Sequence, residues 1–385
     1  MSIRGKAAIT GVGDTDYTRD AGGRSALVLQ LEASLRALED AGLTPRDIDG
    51  IVMPIPSGAS VAEDFITNLG IPDLRYSAST PLGGAGSVAG LQCAAMAVAS
   101  GLCNHVLLPV GRTGRSGQHI GARVQAMPQF RTVAEFEAPV GAIAPAQYYA
   151  QMARRHMERF GTTSRQLAEI AVTTRHHAGL NGNARMKQPI TIADHQASRL
   201  IADPLRLLDC SLESDGGAAV IVSAADRARD GRKPRVLITG MGEGHPDSPS
   251  SITQRADITT LGIAKAAPRT FAMAGVKPAD IQVAEIYDCF TYIVLCQLED
   301  LGFCAKGEGG AFVEGGALGL GGRLPVNTHG GLLSQAHMAG MNHVVELVRQ
   351  LRGEAGRAQV AGARLGLVTG YGDLGDGTLA IMERE

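Results

Sequence analysis

Two periodicities alternate along the chain. Short apolar runs of strand character fall at residues 8–13, 50–54, 106–110, 237–242, 283–287 and 365–369. Between them, residues 27–38, 90–101, 261–273 and 340–353 repeat apolar positions every three or four residues, the spacing of one helix face. Strands alternating with helices of this length predict a mixed or parallel sheet covered by helices, an α/β fold. A helix-rich stretch at about 144–208 interrupts the alternation. Residues 148–160 and 166–178 read as helices, the second capped by Thr163 or Ser164. Residues 111–140 show little periodicity and are expected as an irregular loop over a functional site.

The pattern also repeats. Ala8-Ile9-Thr10-Gly11-Val12-Gly13 matches Leu237-Ile238-Thr239-Gly240-Met241-Gly242, and Ala41-Gly42-Leu43-Thr44-Pro45 matches Ala274-Gly275-Val276-Lys277-Pro278. The second pair is a helix stop: Gly42 and Gly275 can take the left-handed position after the last turn, and Pro45 and Pro278 cannot continue the helix. A fainter match links the helices that open near Gly90-Leu91 and Gly340-Met341. The ordered recurrence predicts a duplicated βαβαβ unit, with halves at 1–228 and 229–385 and a helical insertion at about 112–208 in the first.

Composition narrows the function. Lys+Arg is 36 against Asp+Glu 38, a net charge of −2, which argues against a nucleic-acid binder. Mean hydropathy is +0.03, too high for a disordered chain, and no apolar run is long enough for a membrane span. Residues 1–6 lack the apolar core of a secretory signal, so a cytoplasmic location is expected. The cysteines, Cys93, Cys103, Cys210, Cys289, Cys296 and Cys304, include no C-x-x-C pair, and His176-His177 are adjacent rather than one turn apart. Neither a disulfide framework nor a metal site is expected. Gly11-Val12-Gly13 follows a strand, but the rest of a dinucleotide fingerprint is out of register.

Chemistry enters with the motifs of the second half. Glu285-Ile286-Tyr287-Asp288-Cys289-Phe290-Thr291, continued by Leu298-Glu299-Asp300-Leu301-Gly302-Phe303, resembles the H-D-C-F segment of the sterol-carrier-type thiolases. Pro325-Val326-Asn327-Thr328-His329-Gly330-Gly331-Leu332-Leu333-Ser334 resembles their N-x-x-G-G-L-L-S segment; Asp203-Pro204-Leu205 and the run from Ser214 to Ala219 also match. The resemblance spans essentially the whole chain. It implies the thiolase fold: two similar halves, each with a mixed sheet, helices of both packed between the sheets, and pairing as a homodimer.

The departures from that family carry the functional reading. A thiolase holds a nucleophilic cysteine at the start of the helix after the third strand, where the helix end lowers the thiol pKa. That turn here reads Pro81-Leu82-Gly83-Gly84-Ala85-Gly86-Ser87, and the position falls on Gly83 or Gly84. Cys93 lies well inside the helix, and the last Gly-rich loop, 368–377, has no second cysteine. With no cysteine and with Tyr287 in place of histidine, the chain resembles the lipid-transfer-protein-like aldolases of steroid side-chain breakdown. That resemblance implies retro-aldol cleavage of a bulky β-hydroxyacyl-CoA. It also implies a substrate carried as a CoA thioester, no cofactor bound by this chain, and a small partner subunit bearing an OB fold and a zinc ribbon. Two alternatives remain: a thiolase-like acyltransferase using Ser87 or a partner's nucleophile, and a non-catalytic acyl-CoA- or lipid-binding scaffold.

A retro-aldol step needs a base for the β-hydroxyl, donors for the thioester enolate, and an acid for the α-carbon. His337, matching the histidine of the thiolase G-H-P segment, is the base candidate, because imidazole titrates near neutrality. Many of the aldolases carry tyrosine there. Tyr287 and Tyr371 are candidate proton relays. Asn327, His329, Gly330, Gly331, Ser87 and Gly84 are candidates to contact the thioester or its enolate. Asp288 is expected to cap the following helix. Arg112, Arg115, Arg123 and Arg131 form a spaced basic set, suited either to CoA phosphates or to a solvated loop.

Overall fold

The computed structural model describes residues 3–54, 60–118, 120, 130–230, 233–248, 251–372 and 374–385. The strands are β1 (Ala7–Asp14), β2 (Gly50–Met53), β3 (Tyr76–Ser79), β4 (His105–Thr113), β5 (Leu200–Ala202), β6 (Leu205–Arg206), β7 (Asp215–Ala224), β8 (Val236–Gly244), β9 (Val283–Glu285), β10 (Leu365–Tyr371) and β11 (Gly377–Arg384). The helices are α1 (Ala26–Ala41), α2 (Ala62–Leu69), α3 (Gly86–Ala99), α4 (Pro145–Phe160), α5 (Ser164–Leu180), α6 (Ile192–Ala197), α7 (Ile263–Ala274), α8 (Thr291–Asp300), α9 (Gly309–Val313) and α10 (Met341–Arg352).

The repeat is visible in the strand order, β3-β2-β4-β7-β1-β8-β11-β10-β9. Outward from the centre, β1-β7-β4-β2-β3 is mirrored by β8-β11-β10-β9. The fifth place of the second half is reduced to one parallel bridge between Ala284 and Val326. Both halves are mixed: β2 runs parallel to β3 and β4, and β10 runs parallel to β9 and antiparallel to β11. The halves join edge to edge where Ala8 and Ile9 of β1 meet Leu237 and Val236 of β8.

The repeated Thr-Gly-x-Gly motif is a packing device. A Cβ on Gly11 or Gly13 would run into the α1 backbone at Ala37 and Ala33, and one on Gly240 or Gly242 would run into Thr270 of α7. Each strand gives up side chains so that its helix can lie against it. The helix stops are as expected, with Gly42 and Gly275 left-handed at φ 68° and 71°.

Helices α3 and α10 form the middle layer. Val88, Leu91 and Ala95 of α3 and Val344, Leu347 and Leu351 of α10 share one core with the inward faces of β1, β4, β7, β10 and β11. Helix α3 begins at Gly86, a turn earlier than the apolar pattern indicated. Its first turn is small because the carbonyls of Pro54 and Thr80 leave no room for a Cβ on Gly86. Outside, α1 covers β2, β4 and β7. The insertion contributes α4, α5 and α6 and the β5–β6 hairpin, and α4 packs on the second half through Tyr149 and Phe290. Thr163 caps α5 by accepting from Gln166 N. No helix among the described residues is long and apolar enough to cross a membrane.

Candidate active site

Four segments converge at one end of α3: the turn 83–86, the stretch 286–290 after β9, the loop 327–340 and the end of β10. Tyr287 is their centre and is 3% exposed. Its backbone N–H donates to Thr369 Oγ1 at 2.9 Å, and its carbonyl accepts from Gln297 Nε2 at 2.8 Å. Its ring lies 6.1 Å from His343, nearly parallel, and 6.4 Å from Tyr371. Gly340 is left-handed, at φ 83°, and a Cβ there would press on the same ring.

The Tyr287 hydroxyl lies in the space that a side chain on residue 84 would need. A Cβ on Gly84 would overlap Tyr287 Oη and Cζ and sit 2.6 Å from the Tyr371 carbonyl oxygen. A side chain on residue 84 and the phenol of residue 287 therefore cannot share this space. Ser87 offers no substitute nucleophile in this arrangement: it is fully buried and its hydroxyl donates to Ala339 O at 2.7 Å.

His337 and Tyr371 do gather with Tyr287. The Tyr287 hydroxyl is 3.4 Å from His337 Nε2, a long contact, with the rings edge to face. Arg112, at the end of β4, places Nη1 2.7 Å from His337 Nδ1. A guanidinium only donates, so Nδ1 accepts, and a neutral His337 carries its proton on Nε2, facing Tyr287. Tyr371 is buried at 2% exposure and meets Tyr149 of α4 edge-on at 5.6 Å.

The other candidates hold protein rather than open space. Asn327 uses its whole amide on one residue, Oδ1 accepting from Ile286 N at 2.7 Å and Nδ2 donating to Ile286 O at 2.8 Å. His329 is fully buried, with Nδ1 2.9 Å from Glu285 Oε2 and Nε2 3.3 Å from Asn342 Nδ2. Burial pushes its pKa down to about 3, so the ring is neutral. Gly330 and Gly331 permit close approach, but to Ala178 of α5 and the Asp288 carboxylate. Asp288 does not cap α8, which starts from Phe290; it accepts from Leu332 N at 2.7 Å, Leu333 N at 3.2 Å and His343 Nε2 at 3.0 Å. It thus ties the glycine-rich loop to the Tyr287 turn.

Of the basic set, Arg112 goes to His337, Arg115 is exposed, and exposed Arg131 pairs with Glu135; Arg123 lies outside the described residues. Arg255 carried no sequence signal. It is 8% exposed, and neither Nη has a hydrogen-bond partner. Burial lowers its pKa, against the opposing pull of Tyr371, Asp376 and Tyr149. Among the described residues no cluster of three or more His, Cys, Asp or Glu side chains could hold a metal ion.

Fold and site together define a thiolase-type scaffold whose site gathers Tyr287, Tyr371 and His337 beside a glycine at position 84. Residues 244–383 match the family model for the thiolase C-terminal domain-like region. The chain is 42% identical over 360 residues to a steroid side-chain-cleaving aldolase of Thermomonospora curvata, covering 91% of both chains. It is also 42% identical over 379 residues to a 17-hydroxy-3-oxo-4-pregnene-20-carboxyl-CoA lyase of Mycobacterium tuberculosis, covering 95% of this chain and 96% of that one. The solved Ltp2-ChsH2(DUF35) aldolase superposes with a TM-score of 0.93 at 38% identity, covering 100% of this chain and 99% of that chain. The chain belongs to the thiolase superfamily. Within it, the chain falls in the lipid-transfer-protein-like branch of the steroid side-chain-cleaving aldolases.

Proposed function

We propose that this protein cleaves a bulky, steroid-like β-hydroxyacyl-CoA by a retro-aldol reaction, giving a ketone or aldehyde and a shorter acyl-CoA. The β-hydroxyl loses its proton and becomes a carbonyl. The Cα–Cβ bond breaks, its electron pair passes into the thioester as an enolate, and the enolate takes a proton at Cα. No acyl-enzyme is required. The observation that carries the reading is the Tyr287 hydroxyl, seated where a side chain on residue 84 would be. The similarity to an aldolase and to a carboxyl-CoA lyase supports it.

Proton handling falls to Tyr287, Tyr371 and His337. The base role expected of His337 from the sequence needs a lone pair on Nε2, whereas donation from Arg112 to Nδ1 keeps a proton there. His337 then serves as a donor to the Tyr287 oxygen or to the enolate, and the phenols exchange the protons. Arg255 supplies unpaired buried donors for negative charge near Tyr371 and Tyr149. Asn327, His329, Gly330 and Gly331 shape the site from behind. The chain holds no cofactor of its own, forms a homodimer, and works with a small DUF35-type partner subunit carrying an OB fold and a zinc ribbon. Its likeness to the solved Ltp2-ChsH2(DUF35) aldolase supports the partner.

The test is mass spectrometry of products from a synthetic ring-bearing β-hydroxyacyl-CoA, with the partner present and Tyr287→Phe and His337→Ala alongside. Cleavage products that both variants lose are expected. Unchanged substrate with the intact protein would overturn the assignment for that substrate class.

A further inference from the structure

Behind the Tyr287 turn lies a buried acidic cluster that the reaction does not use. Thr328 Oγ1 is 2.8 Å from Glu285 Oε1 and 2.7 Å from Glu346 Oε1. Glu285 and Thr328 are fully buried, and Glu346 of α10 is 6% exposed. A hydroxyl has one hydrogen to give. Two ionised carboxylates at these distances would leave one oxygen facing the Thr328 lone pair with no hydrogen between them. Gln350 does not remove the conflict. Its Nε2 donates to Ala358 O at 2.7 Å, leaving one hydrogen between Thr328 Oγ1 and Glu346 Oε1, both at 2.9 Å. One carboxyl must therefore keep its own proton.

We propose that Glu285 and Glu346 share a single proton through Thr328 at neutral pH, and that this pair is a positioning device that locks the 327–331 loop against the Tyr287 turn. The lock reaches Tyr287 by two routes. Thr328 follows Asn327, whose amide grips Ile286 through both its N–H and its carbonyl. His329, beside Glu285, meets His343 edge-on at 4.7 Å, and His343 lies parallel to the Tyr287 ring and bonds Asp288. The charged or titratable groups facing the pair are His329 from the loop, Asp288 from the turn, and His343 and Arg349 from α10. Arg349 is itself held by Asp14 at 2.6 Å. None of these puts a compensating cation between the two carboxyls.

Burial pushes both carboxyls up, Glu285 to about 8. The folded state thus retains a proton that the unfolded chain releases near its ordinary value of 4.5. Stability falls as pH rises between that value and about 8, then levels off. Glu346→Gln is the discriminating variant. Its amide still donates to Thr328, Thr328 donates to Glu285, and no second carboxyl is left to share a proton.

The kinetic arm rests on the proposed lyase activity; the infrared and unfolding arms do not, so the two ideas can fail separately. In the infrared, the wild-type minus Glu346→Gln difference spectrum at neutral pH should show a protonated carboxyl band that fades on alkalinisation. The unfolding midpoint of Glu346→Gln should lose much of the downward pH slope expected of the wild type. In the lyase assay, Glu346→Gln should stay within about threefold of wild-type kcat and lose part of the alkaline limb, while Glu346→Ala falls roughly tenfold or more. Absence of the carboxyl band, or an unchanged unfolding slope in Glu346→Gln, would overturn the shared proton. A Glu346→Gln enzyme as slow as Glu346→Ala would overturn the positioning role.

Discussion

Replacing Gly84 with alanine puts a methyl group where the Tyr287 hydroxyl lies. The new Cβ would overlap Oη and Cζ of Tyr287 and stand 2.6 Å from the Tyr371 carbonyl oxygen. The carbonyl belongs to β10 and cannot yield, so the phenol must. Ordinary contact needs about 3.5 Å between carbon atoms, which forces the hydroxyl back by roughly 1 Å. His343 on one side and Gly340 on the other limit where it can go. A displacement of that size at a reacting group costs on the order of 100-fold in rate, or about 2.7 kcal/mol in the barrier. The overpacking itself should cost about 1–3 kcal/mol of stability. The assay pairs steady-state cleavage with denaturant unfolding of Gly84→Ala, Tyr287→Phe and the double variant. Removing the phenol oxygen relieves the Oη part of the overlap and leaves the part with Cζ, so the double variant should recover part of the stability, with a coupling of about 0.5–3 kcal/mol, but not activity. Gly84→Ala with wild-type kcat, or strictly additive unfolding energies, would refute the steric conflict.

Arg112→Met should free His337 to exchange tautomers and lower kcat by roughly 10- to 100-fold; ¹⁵N NMR of the ring would show the Nε2–H form losing dominance, and an unchanged tautomer would contradict the assignment. Asn327→Ala removes two buried hydrogen bonds to one residue and should cost about 2–3 kcal/mol in equilibrium unfolding; a loss under about 0.5 kcal/mol would show that the loop is held by other means.

Much of the architecture can be read from local signals. The Ala-Gly-x-x-Pro stops encode backbone geometry in adjacent residues, and Gly42 and Gly275 adopt the left-handed turn that such stops require. The paired Thr-Gly-x-Gly strands were legible as a repeat, although their reason, helices pressed onto the strand backbone, needs the third dimension. The absence of cysteine at 83–84 and the identities of Tyr287, Tyr371 and His337 were legible too. What Gly84 makes room for was not. The partners that set the site's chemistry lie far apart in sequence: Arg112 reaches His337 across 225 residues, and Ser87 donates to Ala339 across 252. Asp288 stood in a plausible cap position, yet the free N–H groups of Leu332 and Leu333 compete for the same carboxylate and win. Glu285 and Thr328 lie inside the thiolase-like segments at positions given no role there, Glu346 lies outside them, and only the packing of α10 behind β9 brings the two carboxyls to one hydroxyl.

The most direct test of non-covalent retro-aldol cleavage is the reaction run in D₂O with the partner subunit and no free CoA, with product and intact-protein masses read together. The expected result is a ketone or aldehyde, an acyl-CoA carrying one deuterium at its α-carbon, and unmodified protein. A strict requirement for free CoA, or an acyl mass on the protein, would contradict it.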